Sequence, residues 1–235
     1  DATNYVWAQF EDSESTWAYL DLMREMILTE GIPLSLYSDR HTIFHSPKEP
    51  TIIEQLRNEE PLTQFGRAMK ELGVEMIPAY SSQAKGRIER LWQTFQDRLI
   101  AEMRLNQIGT KEDARKFLRD FLASFNERFS VAPRNCQKVF RRRPPLKQLD
   151  RILCLKETRV VRNDHTISFE GLVLQIPPSS RWASISRSQV EVLQLRDTSV
   201  EIIYKGMTVA RFSGEAINRM ITKQKLDRCQ LKKVA

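Results

Sequence analysis

Pro33-Leu34-Ser35-Leu36-Tyr37-Ser38-Asp39 decides how this chain is read: a short apolar run, opened by proline, that delivers a carboxylate at its C-terminal end. Its length and composition predict a strand. A helix is expected before it, because Ser15-Thr16 stand at a capping position ahead of Trp17, Leu20, Leu22, Met23, Met26, Ile27 and Leu28, and Gly31 and Pro33 stop the pattern. Further upstream, Tyr5-Val6-Trp7-Ala8-Gln9-Phe10 reads as a strand entered in its middle, so more chain is expected ahead of Asp1. Downstream, Arg40 to Pro61 is polar and proline-bearing with no clean period, which predicts mostly loop. Leu62, Phe65, Met69 and Leu72 then recur at helical spacing, Gly73 ends that helix, and Val74-Glu75-Met76-Ile77-Pro78 reads as a second short strand. Strand and helix alternate, which predicts an α/β fold.

The clearest helix covers about Gln83 to Asn106, where Ile88, Leu91, Trp92, Phe95, Leu99 and Met103 repeat every three or four residues. A second helix, from Lys111 to about Arg128, is capped by Thr110 and shows Phe117, Leu118, Phe121, Leu122 and Phe125. Arg141-Arg142-Arg143-Pro144-Pro145 is basic and stiffened by proline, and a domain boundary is placed there. From Thr158 onward short β-rich runs alternate with breakers at the intervals of a small antiparallel barrel. The expected domains are a catalytic core with trailing helices over 1–140, a basic linker over 141–156, a small β-barrel over 157–213 and a basic tail over 214–235. The tail reads as either a short helix or a disordered segment.

Composition narrows the function classes. No apolar run reaches the roughly 18 to 20 residues needed to cross a bilayer, so a soluble protein with no membrane partner is expected. Cys136, Cys154 and Cys229 are odd in number and far apart, which suggests neither a disulfide framework nor a zinc finger and points to a reducing compartment. The net charge is +7, but residues 1–100 hold 10 Lys/Arg against 16 Asp/Glu, and residues 101–235 hold 27 against 14. An acidic half followed by a basic half suits an enzyme whose carboxylates take cations beside a surface that holds a polyanion.

Asp39 is placed at a strand end, where α/β folds bind their ligands, although an aspartate there also serves as a turn residue. Glu89 lies about 100° around its helix from the line through Ile88 and Phe95, at the flank of the apolar stripe. Lys85, one turn earlier, offers it an ordinary ion pair as the alternative.

Tyr37-Ser38-Asp39-Arg40-His41 followed by Ser82-Gln83-Ala84-Lys85-Gly86-Arg87-Ile88-Glu89-Arg90 resembles the last two acidic motifs of DDE transposases. The similarity is closest to bacterial insertion-sequence transposases of the ISNCY group, and it continues through Leu62 to Arg67, Phe125 to Pro133 and Asp150 to Cys154. It implies an RNase H-like (integrase) catalytic core lacking its first strand, followed by a small C-terminal β-barrel reminiscent of Mu-type transposases. It also implies that Asp39 and Glu89 are the second and third catalytic, metal-binding carboxylates. Two Mg²⁺ or Mn²⁺ ions are expected in the complete site, because in-line displacement at phosphorus needs the attacking oxygen activated and the leaving oxygen neutralised. The first aspartate belongs upstream of this stretch. Asp1 sits in the turn into the family's second strand, and this chain alone is expected to be inactive or nearly so.

Double-stranded DNA, as transposon ends and target, is the expected partner. Lys85, Arg87, Arg141, Arg142 and Arg143 are the candidate DNA contacts. Joining two ends implies a homo-oligomer on DNA, in a bacterial cytoplasm at the nucleoid. His41 reads either as a group near the scissile phosphate or as an exposed loop histidine, and Trp182, Tyr204 and Phe212 read as core or as stacking residues. The competing readings are a catalytically dead, DNA-binding transposase remnant and an RNase H-like nuclease that hydrolyses without joining.

Overall fold

The computed structural model of the protein describes residues 3–56, 60–79, 82–133, 135, 139–179 and 184–234, with the side chains of these except 53, 54, 82–85, 87 and 225–234. The chain divides into two compact units, Asp1–Pro144 and Pro145–Ala235.

Unit 1 begins with a stretch leading into α1 (Thr16–Thr29), β1 (Ile32–Pro33) and β2 (Ser35–Ser38). The Ser15 hydroxyl caps α1 by accepting from the Ala18 N–H at 3.2 Å, and Leu20, Met23 and Ile27 form its buried face. A short α2 (Ile52–Leu56) interrupts the stretch expected to be mostly loop, and α3 (Gln64–Leu72) follows, capped by Thr63. Parallel pairing of β2 with β3 (Glu75–Pro78) runs from Ser35 opposite Glu75 to Ser38 opposite Pro78. Two long helices, α4 (Ser82–Leu105) and α5 (Lys111–Phe129), complete the unit, and β4 (Phe140–Arg141) returns to pair antiparallel with β1.

The α4–α5 core is aromatic. Phe95 meets Phe121 and Phe125 edge-on, with ring centroids 5.6 and 5.2 Å away, an arrangement the ring quadrupole favours. Leu99, Leu118 and Val6 close the same cluster. Each such side chain contributes about 1.5–3 kcal/mol on burial. The helical stripe expected to include Ile88 and Trp92 is narrower than its spacing suggests, because both are about half exposed and line a groove beside residues 6–14.

Tyr5–Phe10 has no regular secondary structure and joins no sheet among the described residues, contrary to the strand expected there. Its backbone is satisfied in another way. The Val6 N–H donates to Asn126 Oδ1 at 2.8 Å, and Asn126 Nδ2 donates to the Val6 carbonyl at 3.0 Å. One buried side-chain amide thus does for Val6 what a neighbouring strand would do.

In unit 2, α6 (Leu146–Ile152) occupies residues expected to be linker, since Leu149, Ile152 and Leu153 recur at helical spacing and are buried. Then come β5 (Leu155–Val160), β6 (Thr166–Phe169), β7 (Leu172–Gln175), β8 (Gln189–Gln194), β9 (Val200–Tyr204), β10 (Met207–Phe212) and α7 (Gly214–Val234). The strands make an antiparallel sheet in the order β10-β9-β8-β5 and a separate β6-β7 hairpin. Where a closed barrel was expected, no ring of strands closes among the described residues. The core joins the inner sheet face, including Val190, Val192, Val200 and Ile202, to Ile167, Leu174 and Ile217. On the other face Glu201 is buried between two guanidiniums, Arg151 of α6 and Arg211 of β10, each 2.6 Å away. Removing either partner from such a buried carboxylate is costly. The tail, left open between helix and disorder, is the helix α7, anchored by Ile217.

Candidate active site

Asp39 follows the last residue of β2, and its exposed side chain accepts the His41 N–H at 3.1 Å, a short local turn that holds one carboxylate oxygen. Parallel pairing continues past the strand end, as the Ala79 N–H donates to the Ser38 carbonyl at 2.8 Å. The C-terminal ends of β2 and β3 therefore coincide, and α4 starts three residues beyond Ala79. Glu89 lies on that helix, about 10 Å along its axis from the first residue, and is exposed. The topology brings the Asp39 turn and the start of the Glu89 helix to one end of the strand pair. The side chains of Lys85 and Arg87 lie outside the described residues.

Sequence reading missed the neighbours of Asp39. The Tyr19 hydroxyl on α1 donates to Glu14 Oε1 at 2.5 Å, and Glu14 Oε2 lies 3.6 Å from His41 Nε2. Partial burial, the bond to Glu14 and the negative charge of Asp39 together hold the Tyr19 hydroxyl well above the usual tyrosine value. Tyr19 also meets Phe44 edge-on at 4.9 Å, and Phe44 meets Phe65 at 5.2 Å. Glu14, Tyr19 and Phe44 thus fix the turn that carries Asp39 and His41. No spacing signals this: Glu14 sits in an unpatterned acidic run 25 positions before Asp39.

Among the described residues, no three His, Cys, Asp or Glu side chains gather as a metal site. Asp39 and Glu89 supply hard oxygen donors of the kind Mg²⁺ takes, and they are two donors, one already holding a backbone N–H.

The arginine run divides by role. Arg141 sends Nη2 to the carbonyls of Leu72 and Gly73, at 2.8 and 2.7 Å, capping the end of α3. A cation there satisfies helix carbonyls that have no helical partner. The arrangement needs glycines: Gly73 adopts φ +67°, and a Cβ on Gly31 would stand 2.6 Å from the Arg141 carbonyl. Arg142 and Arg143 are exposed, Arg143 touching only the Pro144 carbonyl among its described contacts, at 3.4 Å.

Comparison with known proteins fits this picture. No family profile matches the chain. Over 202 residues, covering 84% of this chain and 42% of the relative, it is 33% identical to a Sinorhizobium fredii protein named as the transposase y4bF. Over 168 residues, covering 72% and 35%, it is 34% identical to the transposase for insertion sequence IS1202 of Streptococcus pneumoniae. The chain spans about two fifths of the first relative and about a third of the second. A stretch covering 84% of this chain contains everything from α3 to β8, Glu89 included, wherever it begins. No helix among the described residues is long and apolar enough to cross a membrane.

Proposed function

We propose that this chain is part of a DNA transposase of the integrase (DDE) type, which cleaves phosphodiester bonds and transfers strands with divalent metal ions. One observation carries the reading: a sequence similar to two proteins named transposases places an aspartate turn and a glutamate-bearing helix at the same end of a parallel strand pair. Asp39 and Glu89 would hold Mg²⁺ or Mn²⁺ together with a third carboxylate, as the resemblance implies. The bound ions would supply Lewis-acid activation of the attacking and leaving oxygens. Glu14, Tyr19 and His41 keep the Asp39 turn in place.

The core would be RNase H-like, completed by a further strand along the edge of β2. Two features of unit 1 support that completion. An apolar cavity of about 220 Å³ lies between Trp7 and the β2 residues Leu36, Tyr37 and Ser38, and the buried Ser38 hydroxyl in its wall has no hydrogen-bond partner among the described residues. An unsatisfied buried hydroxyl beside an apolar gap fits a place that another segment fills. DNA is the partner, contacted by Arg142, Arg143, Lys85 and Arg87, and a homo-oligomer pairs two transposon ends.

The test uses the parent protein extended upstream. Strand transfer of labelled DNA ends is expected only with Mg²⁺ or Mn²⁺ and is lost on Asp39→Asn and on Glu89→Gln, while DNA binding persists. Full strand transfer by both variants refutes the assignment.

A further inference from the structure

We infer that the end of unit 2 formed by the turns after β5, before β8 and between β9 and β10 is a docking surface for the sugar–phosphate backbone of duplex DNA. The inference rests on the transposase reading and adds to it where, outside the carboxylate site, the DNA is held.

Charge is the first observation. Asp1–Pro144 carries 21 Lys/Arg and 21 Asp/Glu, whereas Pro145–Ala235 carries 16 against 9, so the whole net charge of +7 resides in unit 2. At this end the three turns, residues 161–166, 184–189 and 204–207, contribute Arg162, Arg187 and Lys205 against the single acid Asp164. Asp164 is exposed and accepts from the Thr166 N–H and hydroxyl at 3.1 and 2.7 Å. The bond from that hydroxyl, helped by the nearby charge of Arg162, holds the Asp164 carboxyl below the usual range, so this end keeps a net charge of +2.

Two of the three cations, Arg187 and Lys205, are held by contacts of their own, which is the second observation. The Arg187 N–H donates to the Val161 carbonyl at 2.8 Å and the Val161 N–H to the Ser188 carbonyl at 2.9 Å, locking the first two turns together. Asn163 Oδ1 accepts the Arg187 Nε–H at 3.1 Å, which ties that guanidinium to the turn that carries exposed Arg162. The Ser188 hydroxyl bonds to the Tyr204 hydroxyl and lowers its pKa below the usual tyrosine value, tying the third turn to the second. Lys205 Nζ stands 5.3 Å over the Tyr204 ring. A rigid array of cations spends less conformational entropy on meeting phosphates than flexible side chains do.

Backbone conformation is the third. Arg187 and Lys205 adopt φ of +60° and +47°, the left-handed region that glycine or asparagine occupies at lower cost. Lys205-Gly206 fills a two-residue hairpin with both φ values positive, where Asn-Gly is the favoured pair. Arg187 and Lys205 thus stand at positions the backbone would give to smaller residues, as Glu170 does in the β6–β7 hairpin, so asparagine can replace them without cost to the turn.

That strain makes the surface testable without confusing folding with binding. The full 235-residue chain carrying Arg162→Gln, Arg187→Asn and Lys205→Asn is compared with the unchanged chain by fluorescence anisotropy on a labelled DNA duplex across a salt series. Each lost phosphate contact reduces the slope of log K against log salt by about 0.9, so the triple variant is expected to lose about 2 to 3 units of slope. Its melting temperature is expected to stay the same or rise. Arg219→Gln, on an exposed pair with Glu215 at the start of α7, is expected to leave the slope unchanged. Salt-dependent binding whose slope survives the triple substitution, or falls equally in Arg219→Gln, overturns the surface and leaves the transposase reading standing. Absence of any DNA binding by the unchanged chain overturns both.

Discussion

Replacing Asn126 with leucine tests how unit 1 holds its N-terminal stretch. Leucine matches asparagine closely in shape, so the change removes hydrogen bonds while leaving volume nearly constant. The Val6 N–H and C=O both lose their partner, and both lie in a region where Val6 is 8% and Asn126 6% exposed. A buried backbone group left unpaired costs about 1–3 kcal/mol, so the two together cost about 2–6 kcal/mol. The added apolar burial of leucine returns about 1–2 kcal/mol, leaving a net loss that spans about 0–5 kcal/mol and centres on about 2–3 kcal/mol. For a chain of this size that corresponds to a fall in melting temperature of about 5–10 °C.

The assay is urea and thermal unfolding followed by tryptophan emission. Trp7, Trp17 and Trp92 belong to unit 1 and Trp182 to unit 2, so the signal reports chiefly on the affected unit. Amide exchange at Val6 adds a local readout, since its N–H should lose protection before the rest of unit 1. The Val131 N–H still donates to the Thr3 carbonyl at 2.9 Å, so the stretch is loosened and not released. An Asn126→Leu protein within 0.5 kcal/mol of the unchanged chain, with Val6 exchange unaltered, refutes the idea that this amide substitutes for a strand.

Three further variants probe the other structural assignments. Arg141→Met is expected to destabilise unit 1 by about 1–2 kcal/mol through the lost cap on α3; Arg142→Gln with Arg143→Gln leaves stability unchanged and reduces the salt slope of DNA binding by up to about 2 units. Asp197 has its carboxyl held below the usual range by the Ser199 hydroxyl, so it favours the folded state above its unfolded pKa of about 3.9, and that contribution disappears as pH falls through the lower folded value. Asp197→Asn should therefore lower stability at neutrality and converge with the unchanged chain in acid, flattening the acid side of the profile below about pH 4, measured by unfolding across a pH series.

What the sequence discloses depends on whether a signal is local. Ser15 and Thr110 cap the helices they precede, and Gly73 stops α3, because caps and stops act within one turn of their own position. Strand β5 escapes a hydrophobic pattern: Lys156, Glu157 and Arg159 are charged, as suits an edge strand paired on one side only, by β8. The stretch from Tyr5 has the composition of a strand, yet its partner for Val6 is a side chain 120 positions away, which no window of sequence contains. The same holds for Glu14 beside His41. Motif spacing singles out Asp39 and Glu89, but the groups that fix the Asp39 turn come from α1 and the loop before it, joined only by folding.

Arg141 shows most clearly where charge counting stops. In sequence it is one third of a basic run, equal to its neighbours, and every electrostatic argument for DNA applies to all three alike. In the fold its guanidinium faces two helix carbonyls and its backbone lies against Gly31, so its charge is already answered by the protein. Arg187 is the converse case. Nothing in sequence separates it from other isolated basic residues, but a left-handed backbone and an orienting asparagine make it a placed cation. A phosphate backbone responds to charge that is exposed, held still and not already paired. On the proposed reading, cations scattered singly through the turns of unit 2 would hold DNA, and the most conspicuous basic run would contribute two of its three arginines.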